Sequence, residues 1–526
     1  MHKHSRVHAI WARPAQALRE IVGRFLRERK GGVAIPFALT AIPLAFLSLA
    51  AMDFHRATMI KTGLQDSLDA AALAVGRSTL TDPTQIQQLG SSMLSADLKQ
   101  FPNAQLQSAN FVLNGETISA SAAISVTPLV ADVFGDTNLQ VTANSQVVRA
   151  INKLEVAMVL DNTGSMAGQK ITLLKSAATN FVNTLSQAAA TSTDPNATRI
   201  GLVPFTMTVN VGSQYQTADW MDTTAIAPIN DQIFSSHANR FTLFQQMGLQ
   251  WGGCVEERQA PYNMQDTPPD PSTPATLFTP FFAPDEPGAS NTSTTWNSMT
   301  WYNNYIADGT SSNTWSVRQG LVSKYNTHSL RTGTNSSTGY AYGPNAGCTM
   351  QPLIRLTNNW QSLLTSIGNM TVGGDTNIPM GLMWGWHLLS PNAPFADGVA
   401  YNTPQVSKII VMMTDGQNEN TPNSNSDASF YSGDGYIWQN RLGMTSGTQA
   451  QRQAALDANE TTVCNNMKAQ GIIIYTVRID VTDNNYGVIQ ACASSADKFY
   501  NVVDVSQLNA VFQAIAGSIE NLRISQ

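Results

Sequence analysis

Apolar and charged positions are mixed over residues 1–30, and then charge stops: Gly31 to Met52 carry no ionisable side chain. Twenty-two helical residues rise roughly 33 Å, enough for a bilayer core of about 30 Å, so 31–52 is predicted to be a transmembrane helix. Beyond Asp53 the apolar positions recur at Leu64, Leu68, Ala71, Ala72 and Val75, a helical period. The helix is therefore expected to continue outward toward Arg77. Residues 83–99 read as a second helix. The period then changes to two over Thr117–Val126 and Leu139–Val148, which predicts two strands, with a short helix near Pro128–Phe134 between them. A long helix on a small antiparallel sheet is an α+β plan for residues 53–151.

From about Asn152 the pattern becomes one of strands alternating with helices. Leu154–Leu160, Arg199–Phe205 and Ser407–Met413 are apolar enough for buried strands. Helical periodicity covers Lys170–Ala190, Asn358–Asn369 and Pro379–Leu389, and the end reads helix 450–468, strand 471–478, helix 484–494, strand 498–503, helix 505–522. This predicts a doubly wound, mostly parallel α/β sheet over 152–526. Two polar insertions interrupt it, at about 206–347 and 417–447. The first holds Trp220, Trp251, Trp296, Trp301 and Trp315. They are expected to form a small core of the insertion's own, a partner-binding lid being the alternative.

Charge sets an orientation. Residues 1–30 hold eight Lys/Arg against Glu20 and Glu28, whereas the 474 residues after the span hold 22 basic and 34 acidic side chains. The positive-inside rule then puts the N-terminus in the cytoplasm and the body outside it. The basic tail either lies on the anionic leaflet through Leu18, Ile21, Val22 and Phe25 or is simply solvated. An acidic body excludes nucleic acid as a partner. All four cysteines, Cys254, Cys348, Cys464 and Cys492, follow the span, which suits two disulfides in an oxidising compartment. Three connectivities are open; Cys254–Cys348 and Cys464–Cys492 keep each bridge local.

Three oxygen-rich turns carry the candidate chemistry. The first strand ends in Asp161-Asn162-Thr163-Gly164-Ser165, and the strand over 407–413 ends in Thr414-Asp415-Gly416. Gly373-Gly374-Asp375-Thr376-Asn377 precedes a helix. In a doubly wound sheet the ligand crevice lies at the C-terminal strand ends. There Asp161, Thr163, Ser165, Thr376 and Asp415 would converge, with Gly164 allowing the bend. Two carboxylates and three hydroxyls suit a hard divalent cation, Mg²⁺ first, with Mn²⁺ or Ca²⁺ as alternatives. The bland alternative is that Asp161 and Asp415 only cap turns. Gly164–Lys170 lacks the glycine that a phosphate-binding loop needs before its lysine, and His237, His328 and His387 are too scattered for a zinc or Ser-His site. Asp375 has no assigned role.

Residues 28–78, with their small-residue start, apolar span, Asp53-x-x-Arg56 exit and Gln65-Asp66-x-x-Asp69-Ala70-Ala71-Ala72 run, resemble the N-terminal segment of TadE/TadG-like pilus-assembly proteins. No acid lies between Gly31 and Met52, so the anchor is read as retained. The three turns resemble the metal-ion-dependent adhesion site of von Willebrand factor type A domains, with Thr163 standing for the usual first serine. The resemblance implies that the hydroxyls hold the metal directly, the carboxylates act largely through water, and an acidic group from a partner completes the shell. Together the two resemblances imply a single-pass inner-membrane protein with a periplasmic body, serving a tight-adherence (Flp) pilus by adhesion-type binding of pilus-machinery or envelope proteins, without enzymatic activity. The alternatives are a metal-dependent hydrolase of the envelope, which would need a general base or second metal near the site and has no candidate beyond Asp375, and a scaffold with a vestigial metal site.

Overall fold

The computed structural model describes residues 34–78, 80, 82–101, 104–114, 117–127, 139–148, 152–190, 192, 194–288, 303–310, 312, 314–482 and 487–524. The chain divides into two compact units, Met1–Arg149 and Ala150–Gln526.

In the first unit, α1 (Ala34–Arg77) is a single helix of 44 residues with Pro43 inside it. Its first half leaves Phe37, Leu39, Ile42, Leu44 and Leu47 exposed, and it is long and apolar enough to cross a membrane. Its second half buries Leu64, Leu68, Ala71, Ala72 and Val75, the positions that share one helical face. Each fully buried leucine contributes roughly 1.5–3 kcal/mol. They pack with α2 (Pro83–Asp97) and an antiparallel sheet of β1 (Ala104–Asn114), β2 (Thr117–Val126) and β3 (Leu139–Val148), in the order β1-β2-β3. Asp82 caps α2 by accepting the Gln85 N–H at 2.9 Å, with Pro83 opening the helix. Central β2 turns Ile118, Ala120, Ala122, Ile124 and Val126 inward. Strand β1 has no counterpart in the sequence reading. It buries only Phe111, and a register shift between Leu106 and Ser108 breaks its alternation. The basic tail and the short helix expected near Pro128–Phe134 lie outside the described residues.

The second unit is built on an eight-stranded mixed sheet. Its strands are β4 (Lys153–Asp161), β5 (Thr198–Phe205), β6 (Val209–Asn210), β7 (Cys254–Val255), β8 (Ile354–Thr357), β9 (Val406–Thr414), β10 (Ile473–Ile479) and β11 (Phe499–Val502). The order is β11-β10-β9-β4-β5-β6-β7, with β8 paired to β5. The run from β11 to β5 is parallel, and β6, β7 and β8 are antiparallel. Outside the 206–347 insertion the α-helices among the described residues are α3 (Gln169–Ala189), α4 (Trp360–Asn369), α5 (Ile378–Leu389), α6 (Gln449–Ala469), α7 (Gly487–Cys492) and α8 (Leu508–Ile524). The mixed α/β architecture expected from the alternation is thus present. Winding runs from β4 to β5 on one side and to β9 on the other. The crevice therefore opens past the ends of β4 and β9.

Strand β4 is buried on both faces. Leu154, Val156, Met158 and Leu160 pack with Leu174, Phe181 and Leu185 of α3 and with Phe512, Ile515 and Ile519 of α8. Ala157 and Val159 face the layer that holds α5. A Cβ at Gly381 would come within 2.6 Å of the Phe205 ring, and one at Gly385 within 2.5 Å of Val159 Cγ2. These two glycines, one turn apart, let α5 lie directly on the sheet.

The 206–347 insertion corrects an expectation. Its aromatic residues do not form a separate core. Trp220 meets Trp384 of α5 at 6.2 Å and Phe278 at 5.6 Å between ring centroids, and Trp251, Phe281 and Tyr325 belong to the same buried cluster as Val159, Val203 and Met412. The insertion supplies, with little regular structure, the apolar cover that helices usually give a parallel sheet. Trp296 and Trp301 lie outside the described residues. Both disulfides are the local ones, Cys254–Cys348 and Cys464–Cys492.

Candidate metal centre

Asp161 is the last residue of β4 and is fully buried. Its Oδ1 accepts the Thr163 N–H at 2.8 Å and its Oδ2 accepts the Thr414 hydroxyl at 2.6 Å. The turn-capping alternative therefore accounts for one of its oxygens. The other faces the neighbouring strand end. Thr163 Oγ1 lies 3.0 Å from Ser165 Oγ, and the Ser165 hydroxyl donates to Asp415 Oδ1 at 2.7 Å. Hydrogen bonds thus join Thr163, Ser165 and Asp415 in one chain, and Thr414 ties Asp161 to the strand end that bears Asp415.

Thr376 joins through its loop. The Gly164 N–H donates to Gly374 O at 3.0 Å and the Gly373 N–H to Asn162 O at 2.9 Å, so the two turns are laced together. Thr376 is buried, and its carbonyl accepts the Glu419 N–H at 2.8 Å. Asn377 then caps α5, accepting the Met380 N–H at 3.0 Å. Among the described residues no hydrogen bond links the Thr376 hydroxyl to the other four groups.

Two local expectations change. Gly164 has no left-handed backbone, and a Cβ there would sit 3.6 Å from Gly374 O, ordinary contact. The positive φ falls instead at Gly168 (84°), just before α3, and at Gly374 (77°). Asp375 also has a visible task. Its Oδ2 accepts the Thr421 N–H at 2.9 Å, fastening the 417–447 insertion to the site loop.

Burial drives the Asp161 carboxyl up to about 6, and the Asp415 charge adds to the rise, against hydrogen bonds from Thr414 and Thr163. Burial likewise raises Asp375. The donor set fits a hard cation. The oxygen–oxygen spacings of 3.0 and 2.7 Å are near the edge of about 3 Å in an octahedron of oxygens about 2.1 Å from Mg²⁺. A buried carboxylate whose negative charge is resisted is the group that a cation would relieve.

Sequence reasoning missed two participants. Thr414 holds Asp161 from the next strand, a contact set by strand register. Lys170, in the first turn of α3, bridges Asp415 Oδ2 at 2.7 Å and Asp480 Oδ2 at 3.1 Å. A lysine beside the positive end of a helix is disfavoured, and that mismatch was the available signal. Burial works against its charge, but the hydrogen bonds it donates to both aspartates hold its pKa above the ordinary lysine value.

Residues 31–78 match the model of the family described as putative Flp pilus-assembly TadE/G-like. No curated protein matches the sequence. Among solved structures, the pilus adhesin SpaC from Lactobacillus rhamnosus GG is similar at 10% identity and a TM-score of 0.32, over 80% of this chain and 35% of that one. This chain thus spans about a third of that adhesin. The vWF domain of the type V pili tip protein Mfa5 from Porphyromonas gingivalis is similar at 11% identity and a TM-score of 0.33, over 72% of this chain and 97% of that one. Proximal thread matrix protein 1 from the mussel byssus, with a zinc-occupied MIDAS motif, shows 11% identity and a TM-score of 0.27 over 71% and 47%. The chain carries a TadE/G-like Flp pilus-assembly segment at residues 31–78 and, beyond it, a mixed α/β unit.

Proposed function

We propose that this is a pilus-assembly protein anchored by α1, which captures partner proteins through a divalent cation held by Asp161, Thr163, Ser165, Thr376 and Asp415. The observation that carries the reading is the oxygen cluster at the ends of β4 and β9, where hydrogen bonds link two buried acids, Asp161 and Asp415, with three hydroxyls, those of Thr163, Ser165 and Thr414. Mg²⁺ is the cation its spacing suits. When bound, the cation supplies an electrophilic position for an acidic side chain of a pilus-machinery or envelope protein. Asp161 and Asp415 balance its charge, Thr163 and Ser165 offer neutral oxygens, and Thr376 closes the site from the third loop.

The 31–78 segment and the exposed apolar half of α1 support single-pass anchoring. The charge bias supports a cytoplasmic N-terminus and a periplasmic body at the inner membrane. The domain assignment follows: basic tail 1–30, span 31–52, pilin-like region 53–151, and a von Willebrand factor type A domain at 152–526. The role is adhesive and not catalytic. Asp375, the acid a hydrolase would use as its base, is engaged in holding Thr421.

The test is capture by the full chain in detergent of solubilised envelope proteins from a pilus-producing cell, with Mg²⁺ or with chelator. Capture should require the cation and be lost in Asp161→Ala. Equal capture with chelator would remove the cation from the mechanism.

A further inference from the structure

We propose that Lys170 is a built-in counter-ion of the candidate cation site: it holds Asp415 while no cation is bound and shifts onto Asp480 when one enters. The inference rests on the cation reading above and names what regulates affinity at that site.

Lys170 Nζ sits 2.7 Å from Asp415 Oδ2, and the Ser165 hydroxyl holds the other oxygen of the same carboxylate at 2.7 Å. The Asp415 side chain is 0% exposed, whereas that of Lys170 is 22% exposed and that of Asp480 is 45% exposed. The ammonium therefore lies between a buried acid, which belongs to the site, and a more open acid, which does not. The second bridge, 3.1 Å to Asp480, is already made. Release from Asp415 then needs only a small swing of a flexible four-carbon side chain.

Asp480 is placed for this task. It follows β10 with a left-handed backbone, φ 56°, and its N–H is tied to Val502 O at 2.9 Å. A non-glycine residue in that region is strained and persists where its surroundings fix it. The charges also balance. Asp161, Asp415 and Lys170 sum to −1; a divalent cation beside an unmoved Lys170 would make a site of +1 in low dielectric. With Lys170 paired to Asp480, the cation and the two site acids are neutral together, and one acidic group from a partner can be accepted.

The experiment is titration of the full chain in detergent with Mn²⁺, followed by the paramagnetic resonance signal of the free ion. Removing the competing charge in Lys170→Met should tighten binding on the order of tenfold. Lys170→Arg, which keeps the charge, should stay near wild type. Asp480→Asn takes away the alternative partner and should weaken binding severalfold, but only while Lys170 is present. In a Lys170→Met background the same change should have no effect. Equal or weaker binding by Lys170→Met overturns the proposal, as does an Asp480→Asn effect that persists without Lys170. If wild type and Lys170→Met both leave Mn²⁺ free, or Asp161→Ala binds as wild type does, the cation site itself is wrong.

Discussion

Replacing Asp161 by asparagine should stabilise the protein when divalent cations are removed. In the cation-free fold the Asp161 carboxyl titrates near 6, against 3.8 for an ordinary aspartate, chiefly because it is buried. Below pH 4 both folded and unfolded chains hold the proton, and the charge costs nothing. Between 4 and 6 the folded state holds a proton that the unfolded state releases, so stability falls as pH rises, and above 6 the loss is complete. Two pKa units correspond to about 3 kcal/mol. Asparagine keeps the shape. Its carbonyl can accept the Thr163 N–H, and its amide can donate to Thr414 Oγ1, whose own proton can turn toward Gly416 O. Unfolding a unit of about 380 residues carries an entropy of about 0.8 kcal/mol/K, so about 3 kcal/mol moves the melting temperature by about 4 °C. Nine of the ten tryptophans lie beyond residue 150, so intrinsic fluorescence follows this unit. Melting curves in chelator should coincide at pH 4 and separate by pH 7, with Asp161→Asn melting higher; saturating Mg²⁺ should reverse the order. Parallel profiles, or a less stable Asp161→Asn at pH 7 in chelator, would refute the account of Asp161 as a carboxylate kept for a cation at the expense of stability.

Glu460 offers a second titration. Burial pushes it up to about 8, with Asn418 as its partner, so wild type should lose up to about 1.4 kcal/mol per pH unit between about 5 and 8; Glu460→Gln should flatten that slope in denaturant titrations, and an unchanged slope counts against it. Gly385→Ala should destabilise by about 1–3 kcal/mol because its Cβ meets Val159 and Ile410 at 2.5 and 3.0 Å. Gly368→Ala, with open space around its Cβ, should instead be neutral or stabilising by up to about 1 kcal/mol. Removing the Cys464–Cys492 bridge as a double alanine variant frees a 28-residue separation and should cost about 3–4 kcal/mol; an unchanged denaturation midpoint would show that the bridge adds nothing.

Much of the second unit could be read from its strands because β4 and β9 are buried on both faces and therefore appear as apolar runs over 156–160 and 409–413. Their terminal acids followed from the rule that ligands gather where winding reverses. The 206–347 insertion was misread because its aromatics are spaced by no period. Trp220 and Trp251 find their places only against Val159, Trp384 and their neighbours on the sheet. Strand β1 escaped notice because a bulge spoils its alternation. Lys170 and Asp480 lie 310 positions apart in the chain and meet only because α3 and the end of β10 converge on the same crevice. Contacts of that kind are set by topology and leave no local trace in the sequence beyond a lysine at an unfavourable helix end.

The most direct test of the cation site is calorimetric titration of the full chain with Mg²⁺ and with Mn²⁺, set beside Asp161→Ala. Wild type should take up one equivalent, Thr376→Ala should bind more weakly through loss of one neutral ligand, and Asp161→Ala should give no binding heat while its melting curve still shows a folded unit. Equal uptake by wild type and Asp161→Ala would contradict the account and leave the oxygen cluster as a structural joint between two strand ends.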